Sequence, residues 1–198
     1  MDLNLEGMNI IVLAKNHNPS IVSKEWLKDN KIIENNIINF AHTPAFSVVE
    51  TETFSFVEDP DRLQVSIKKD VPENIERLQK IVSKYVEHLP ETPYTAAGIN
   101  YLYSIYSKKD GIKSIYLVNE EKFDKLFPEN YQLGGFIKFN YGDFLVRLSL
   151  QPEDENKIIA DINFHSEVQN AQGIIDMIEK CLQTKEKAEE VLEELFDE

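Results

Sequence analysis

The chain writes one pattern twice. From Asp61 to Leu89 an acidic turn leads into an alternating strand and then an amphipathic helix. Leu63, Val65 and Ile67 share one strand face, and Ile75, Leu78, Ile81, Val82 and Tyr85 line one side of the helix. A shift of 97 residues sets apolar positions on apolar positions: Val65 on Ile162, Ile67 on Phe164, Val71 on Val168, Leu78 on Ile175, Ile81 on Ile178 and Tyr85 on Leu182. Identity between the two stretches is nearly absent, so the pattern repeats while the sequence does not. A chain built this way is expected to fold as two like units.

In the first half, the apolar run Asn9 to Ala14 reads as a buried strand. Asn18-Pro19 offers a cap and a proline at the first helical position, predicting a helix to about Asn30 with Val22 and Trp26 inward. Residues 31–43, rich in asparagine, read as a loop. Phe46 and Val48, then Phe54 and Phe56, alternate as one bent strand or two. Glu58-Asp59-Pro60-Asp61 is a turn by composition, followed by a strand from Arg62 to Lys68. Asp70 and Glu73 stand at capping-box spacing before a helix over 74–89, ended by Pro90 and Pro93.

In the second half, Tyr94 to Tyr106 is the most strand-like run, with Ala97, Ile99, Tyr101, Tyr103 and Ile105 on one face. A turn at Lys108 to Gly111 precedes an extra apolar segment, read as a strand, from Ile112 to Val118. Asn119 caps a short helix that Pro128 ends. Strands Leu133 to Asn140 and Phe144 to Leu150 flank a tight turn at Tyr141-Gly142-Asp143, and Gly134-Gly135 marks a bulge or bend. Strand Ile158 to His165 follows the acidic turn Pro152 to Asn156. The last helix starts near Asn170, with Ile174, Ile178, Cys181 and Leu182 inward, and Val191, Leu192, Leu195 and Phe196 resume the stripe.

The halves therefore read β-α-β-β-β-α twice, with the extra strand between them. The expected fold class is α+β: a mainly antiparallel sheet of about eight strands backed on one face by the two long helices. One domain, 1–198, is expected to hold two pseudo-repeats, 8–89 and 94–197. The alternative is a ferredoxin-like first half followed by a second α+β unit. In element order this topology resembles the duplicated, saddle-like folds of the TATA-binding-protein type. The layout of VEDPDRLQVSIKKD, TPYTAAGINYLYSI and the late helix after DINF resembles a scattered bacterial family of uncharacterised proteins. Neither resemblance implies an activity or a site residue.

Composition narrows the function classes. The net charge of −14, from 35 acidic against 21 basic residues, would repel a polyanion, so nucleic acid is not an expected partner. One cysteine, Cys181, cannot form an internal disulfide, and the acidic N-terminal stretch lacks the basic start of a secretory signal. No apolar run nears the ~20 residues that span a bilayer. The expectation is a cytoplasmic protein without a membrane partner.

His17, His42, His88 and His165 are scattered singly, without zinc-ligand spacing, and no phosphate-binding loop or nucleophile elbow occurs. Cys181 sits on an apolar stripe and reads as core. The acidic turns Glu58/Asp59/Asp61 and Glu153/Asp154/Glu155 lack the spacing of a calcium loop and read as solvated tips. No metal, cofactor or catalytic residue is expected. Five of the eight tyrosines fall between Tyr94 and Tyr116, and one strand face cannot bury them all. Tyr94, Tyr101, Tyr103 and Tyr106, with Val191, Leu192, Leu195 and Phe196, are thus the interaction candidates. The functional expectation is a non-enzymatic protein-interaction or self-associating module, its partner a protein and possibly a second copy in a homodimer. The alternative is a small-molecule-binding protein or enzyme with a pocket between sheet and helices, using Asn100, Tyr101, Arg147 and His165.

Overall fold

A computed structural model describes residues 1–106, 111–116, 118–129, 131–154 and 156–196. Among these, nine strands form one antiparallel sheet, and five α-helices accompany it. The first half supplies β1 (Asp2–Ala14), α1 (Lys24–Asp29), β2 (Ile37–His42), β3 (Ser47–Thr51), β4 (Phe54–Glu58), β5 (Arg62–Ile67) and α2 (Val71–His88). The second supplies β6 (Tyr94–Tyr106), α3 (Glu120–Leu126), β7 (Gly135–Tyr141), β8 (Phe144–Pro152), β9 (Lys157–Glu167), α4 (Ala171–Ile178) and α5 (Cys181–Phe196). The strand order is β2-β3-β4-β5-β1-β6-β9-β8-β7. Reading outward from the β1–β6 pair, each half contributes its last strand first and its second strand last. The α+β class is thus as expected from the sequence, with one sheet running through both halves.

Period-two alternation decides which face is covered. One row of partners crosses all nine strands: Phe40, Val49, Phe56, Val65, Ile10, Ile99, Phe164, Val146 and Phe139. The seven inner members have no exposed surface, and only the edge residues Phe40 and Phe139 are half-buried. The helices lie over this row. α2 packs on β1 and β5, and α4 and α5 pack on β6. α2 also meets α4, where Gln79 Nε2 donates to the Ile178 carbonyl at 2.9 Å, so both long helical segments back the same face.

Several boundaries differ from the sequence reading. β1 begins at Asp2 rather than Asn9, because Leu3 and Leu5 continue the covered face opposite Ile105 and Tyr103, past an irregularity between Leu5 and Gly7. The single helix expected after Pro19 is a 3-10 turn, Pro19–Ile21, and then α1, whose cap is Ser23 accepting from the Trp26 amide. The segment 31–43 holds the edge strand β2. β3 and β4 are two strands, and Val49 rather than Val48 faces the core. Asp70 adopts a left-handed conformation (φ 52°) and its side chain makes no bond to the first helical amides, so the capping box does not form. Asn74 instead donates from Nδ2 to the Asp70 carbonyl at 2.9 Å.

The extra strand expected over 112–118 is a 3-10 turn, Gly111–Ser114, and part of the turn expected at 108–111 lies outside the described residues. The β7–β8 loop is the two residues Gly142 and Asp143, with Gly142 at φ +54°, a conformation that favours glycine. Gly135 accommodates Tyr116, whose hydroxyl would lie 2.7 Å from an added Cβ. The last helix is two segments, breaking at Glu179–Lys180 between Ile178 and Cys181. Leu182, expected inward, is 46 % exposed, and Ile175 is half-buried where Leu78 is fully buried. No helix of the described residues is long and apolar enough to cross a membrane.

Candidate functional site

One residue away from the apolar row, in every strand, sits a second row on the opposite face. It reads Asn39, Glu50, Ser55, Ser66, Asn9, Asn100, Asn163, Arg147 and Lys138. All nine are polar or charged, and none is buried. Adjacent residues of a strand point to opposite faces, so nine apolar choices on one side are matched by nine polar choices on the other.

The centre of this row is an amide ladder. Asn163 Nδ2 donates to Asn100 Oδ1 at 2.7 Å, and Asn100 Nδ2 donates to Asn9 Oδ1 at 2.8 Å. Gly98 leaves room for the Asn163 amide, whose nitrogen would stand 3.0 Å from an added Cβ. A primary amide offers two donors and two acceptor lone pairs, and the ladder uses one or two of these per residue. The ladder therefore holds its amides in place while retaining hydrogen-bonding capacity toward a partner.

The two ends of the row differ. Toward β2, Glu50 is held by Lys68 (2.8 Å) and by the Ser55 hydroxyl (2.8 Å). Toward β7, Arg147 and Lys138 both flank the Phe136 ring, at 5.3 and 5.8 Å from its centroid. Burial raises the Asp161 carboxyl above the usual range, and the Arg147 charge opposes this. Three large apolar side chains stand out on the same face: Leu102 is 39 % exposed, Leu145 49 % and Phe136 58 %.

A cleft of about 670 Å³ adjoins the open face where the β7–β8 turn and the end of β9 meet α4. Phe144, Val168 and Met177 give it apolar walls, and Asp143, Asp176, Lys180 and His165 supply its polar groups. Lys180 reaches Asp143 at 3.3 Å across it.

The sequence candidates divide between these surfaces. Asn100 and Arg147 belong to the polar row, joined through Asn163, while His165 lies in the next row and lines the cleft. They are brought together, but on the face away from the helices rather than between sheet and helices. Tyr101 is on the helix side, fully buried, its hydroxyl 2.6 Å from the Cys181 carbonyl and 2.9 Å from Thr184 Oγ1. Tyr94 and Tyr103 are also buried, and of the four candidate tyrosines Tyr106, 45 % exposed, is the one on the surface. In the tail, Leu192 (0 %) and Phe196 (7 %) are covered by the chain's own core, and Val191 and Leu195 pack partly against it. Cys181 is buried, and burial holds its thiol well above the ordinary range, as suits a core residue.

Among the buried polar residues, two that can carry a charge escaped the sequence reading. Glu58, in a turn that composition predicts to be solvated, has no exposure, and His17 is 2 % exposed. Both contact the Tyr85 hydroxyl. The signal for Glu58 was present, since it stands two residues beyond Phe56 and four beyond Phe54, on their face of the strand. Glu155 lies outside the described residues. Among the described residues, no three His, Cys, Asp or Glu side chains are grouped to hold a metal ion. No protein-family model matches the chain, and no curated protein matches it either.

Proposed function

We propose that this chain is a non-enzymatic protein-interaction module, self-association included, whose working surface is the open face of the sheet. The observation that supports it is the polar row crossing all nine strands beside a covered apolar row. One face of the sheet buries the core, and the other presents fixed amides, an arginine–aromatic cluster and three exposed apolar groups. Arginine and aromatic residues are the types enriched in interfaces, and ordered amides recognise a partner at little further entropic cost. The first partner to test is a second copy, since two such sheets can stack face to face about a two-fold axis.

Sedimentation equilibrium of the wild type against Leu102→Lys/Leu145→Lys tests this. Both positions are exposed, so the variant should fold, and the reading expects a wild-type dimer that the two lysines dissociate. A wild type that is monomeric at high concentration removes self-association. A dimer indifferent to both lysines moves the interface off this face.

A second reading, a small-molecule-binding protein, is favoured by the cleft beside His165. A thermal-shift panel of metabolites on the wild type and on His165→Ala addresses it. A ligand shift lost in the variant supports the cleft, and the absence of any shift leaves the interaction reading alone.

A further inference from the structure

On the helix side, Tyr85 stands between two groups that would each ordinarily carry a charge. Its hydroxyl lies 2.9 Å from Glu58 Oε1 and 3.0 Å from His17 Nδ1, and His17 Nε2 lies 3.1 Å from the Val12 carbonyl oxygen. Glu58 and Tyr85 are fully covered, and His17 is 2 % exposed. None of these residues reaches the open face or the cleft.

Counting protons restricts what this chain can be. A carbonyl only accepts, so His17 Nε2 carries a hydrogen. A neutral imidazole then offers Nδ1 as a lone pair, and Tyr85 must donate to it. The phenol has one proton. Once it is spent on His17, the 2.9 Å contact between Glu58 and Tyr85 needs its hydrogen from the carboxyl. The other arrangement with the same number of protons is a carboxylate and an imidazolium, both stripped of water. In it, Glu58 Oε2, which has no hydrogen-bond partner, would share a buried negative charge.

The surroundings favour the neutral form. Across the ladder from Glu58, β3 offers Ser47, whose hydroxyl donates to the Pro19 and Val22 carbonyls, and β5 offers Leu63. α1 places Trp26 and β4 places Phe56 against the Tyr85 ring. At the start of β6, the Tyr94 ring stands against His17, while its hydroxyl donates to the Leu89 carbonyl. The nearby charges are Asp59, which acts on both Glu58 and His17, and Asp61, which acts on His17. A negative Asp59 disfavours a carboxylate at Glu58, and although Asp59 and Asp61 favour charge on His17, burial outweighs them and lowers it. Among the described residues, no lysine or arginine pairs with Glu58.

We propose that Glu58 is a neutral carboxylic acid in the folded protein, the donor end of a chain running Glu58 to Tyr85 to His17 to the Val12 carbonyl, and that its ionisation is a pH switch on the His17 segment. When the carboxyl gives its proton to water, Tyr85 turns its single hydrogen to the carboxylate. His17 Nδ1 and the phenol oxygen are then left lone pair to lone pair at 3.0 Å. His17 must take up a proton or withdraw. Its backbone amide donates to the Pro60 carbonyl at 2.8 Å, and Pro19 and Val22 are held by Ser47. Withdrawal therefore loosens the β4–β5 turn, whose Pro60 carbonyl accepts from His17, while Ser47 keeps its hold on the 3-10 turn.

The test is a pH titration by NMR of protein carrying 13C-labelled glutamate and 15N-labelled histidine. Glu58 is assigned by the carboxyl signal that vanishes in Glu58→Gln. The expected result is a Glu58 carboxyl that titrates near pH 7 rather than near 4.5, a neutral Nε2–H tautomer at His17 below that point, and at least tenfold faster exchange of the His17 amide above it. A carboxyl that titrates near 4.5 beside a His17 imidazolium at pH 6 would overturn the proposal. If Glu58→Gln does not fold, Tyr85→Phe serves in its place. It interrupts the chain, so the His17 titration must change, and an unchanged His17 titration also overturns the proposal.

Discussion

Leu192→Ala separates two accounts of the C-terminal helix. In the folded chain Leu192 has no exposed surface, and its neighbours along the same face, Ala188 (1 %) and Phe196 (7 %), are also covered. The truncation removes three carbons from water-free surroundings. At about 0.8 kcal/mol per methylene the transfer part alone is about 2.4 kcal/mol. The cavity left behind brings the total to about 2–5 kcal/mol, because the surroundings relax only partly into the gap. Leu182→Ala on the same helix is the control: its side chain is 46 % exposed and should lose about half the transfer part, about 1 kcal/mol, with no cavity added. The assay is urea unfolding followed by circular dichroism at two protein concentrations a hundredfold apart. A Leu192→Ala loss below ~0.5 kcal/mol would refute the packing argument. A loss that depends on protein concentration would instead show the stripe covering a neighbouring chain.

Other consequences are more quickly stated. Ile81→Ala and Ile178→Ala, at 5 % and 0 % exposure on the two packed helices, should each cost about 2–5 kcal/mol in the same assay. Glu58→Gln should change the pH dependence of stability. The Glu58 carboxyl is pushed up to about 7 by burial, so its contribution is full below about 4.5 and lost as pH rises through 7. The wild type should lose about 2–3 kcal/mol across that span relative to Glu58→Gln. His17, lowered by burial, acts in the opposite sense, its contribution present above 6.5 and lost as pH falls through its folded value. Parallel pH profiles for the two proteins would remove the neutral-carboxyl argument. Duplex DNA and RNA should show no measurable binding at physiological salt, and micromolar affinity with a steep salt slope would contradict this.

What was legible in the chain follows from how local each signal is. β6 was read to the residue, since large side chains at Ile99, Tyr101, Tyr103 and Ile105 alternate without interruption and Pro93 precedes it. The start of β1 was missed because Leu3 and Leu5 alternate with Asp2, Asn4 and Glu6, and the stretch lacks the uninterrupted apolar run that marks Ile10 to Leu13. β2 was missed because an edge strand needs little apolar surface. Glu58 was misread because turn composition outweighed the face it shares with Phe54 and Phe56.

Of the open-face row the sequence offered only Asn100 and Arg147 as candidates, and not the row itself. Asn9, Asn100 and Asn163 become neighbours only through pairings that span 91 and 63 residues, and local pattern carries no information about that register. Once the apolar row is known the polar one follows, one residue along in every strand.

The most direct test of the open face as the working surface is a dilution series on methyl-labelled protein, observed by NMR. The account predicts concentration-dependent shifts at Leu102, Leu145, Ile11 and Ile159, whose strand registers place them on that face, with Leu182 on the helix side unmoved. No shift at any concentration up to about 1 mM, where even weak pairing would register, would remove self-association, and shifts confined to α5 would contradict the open face as the working surface.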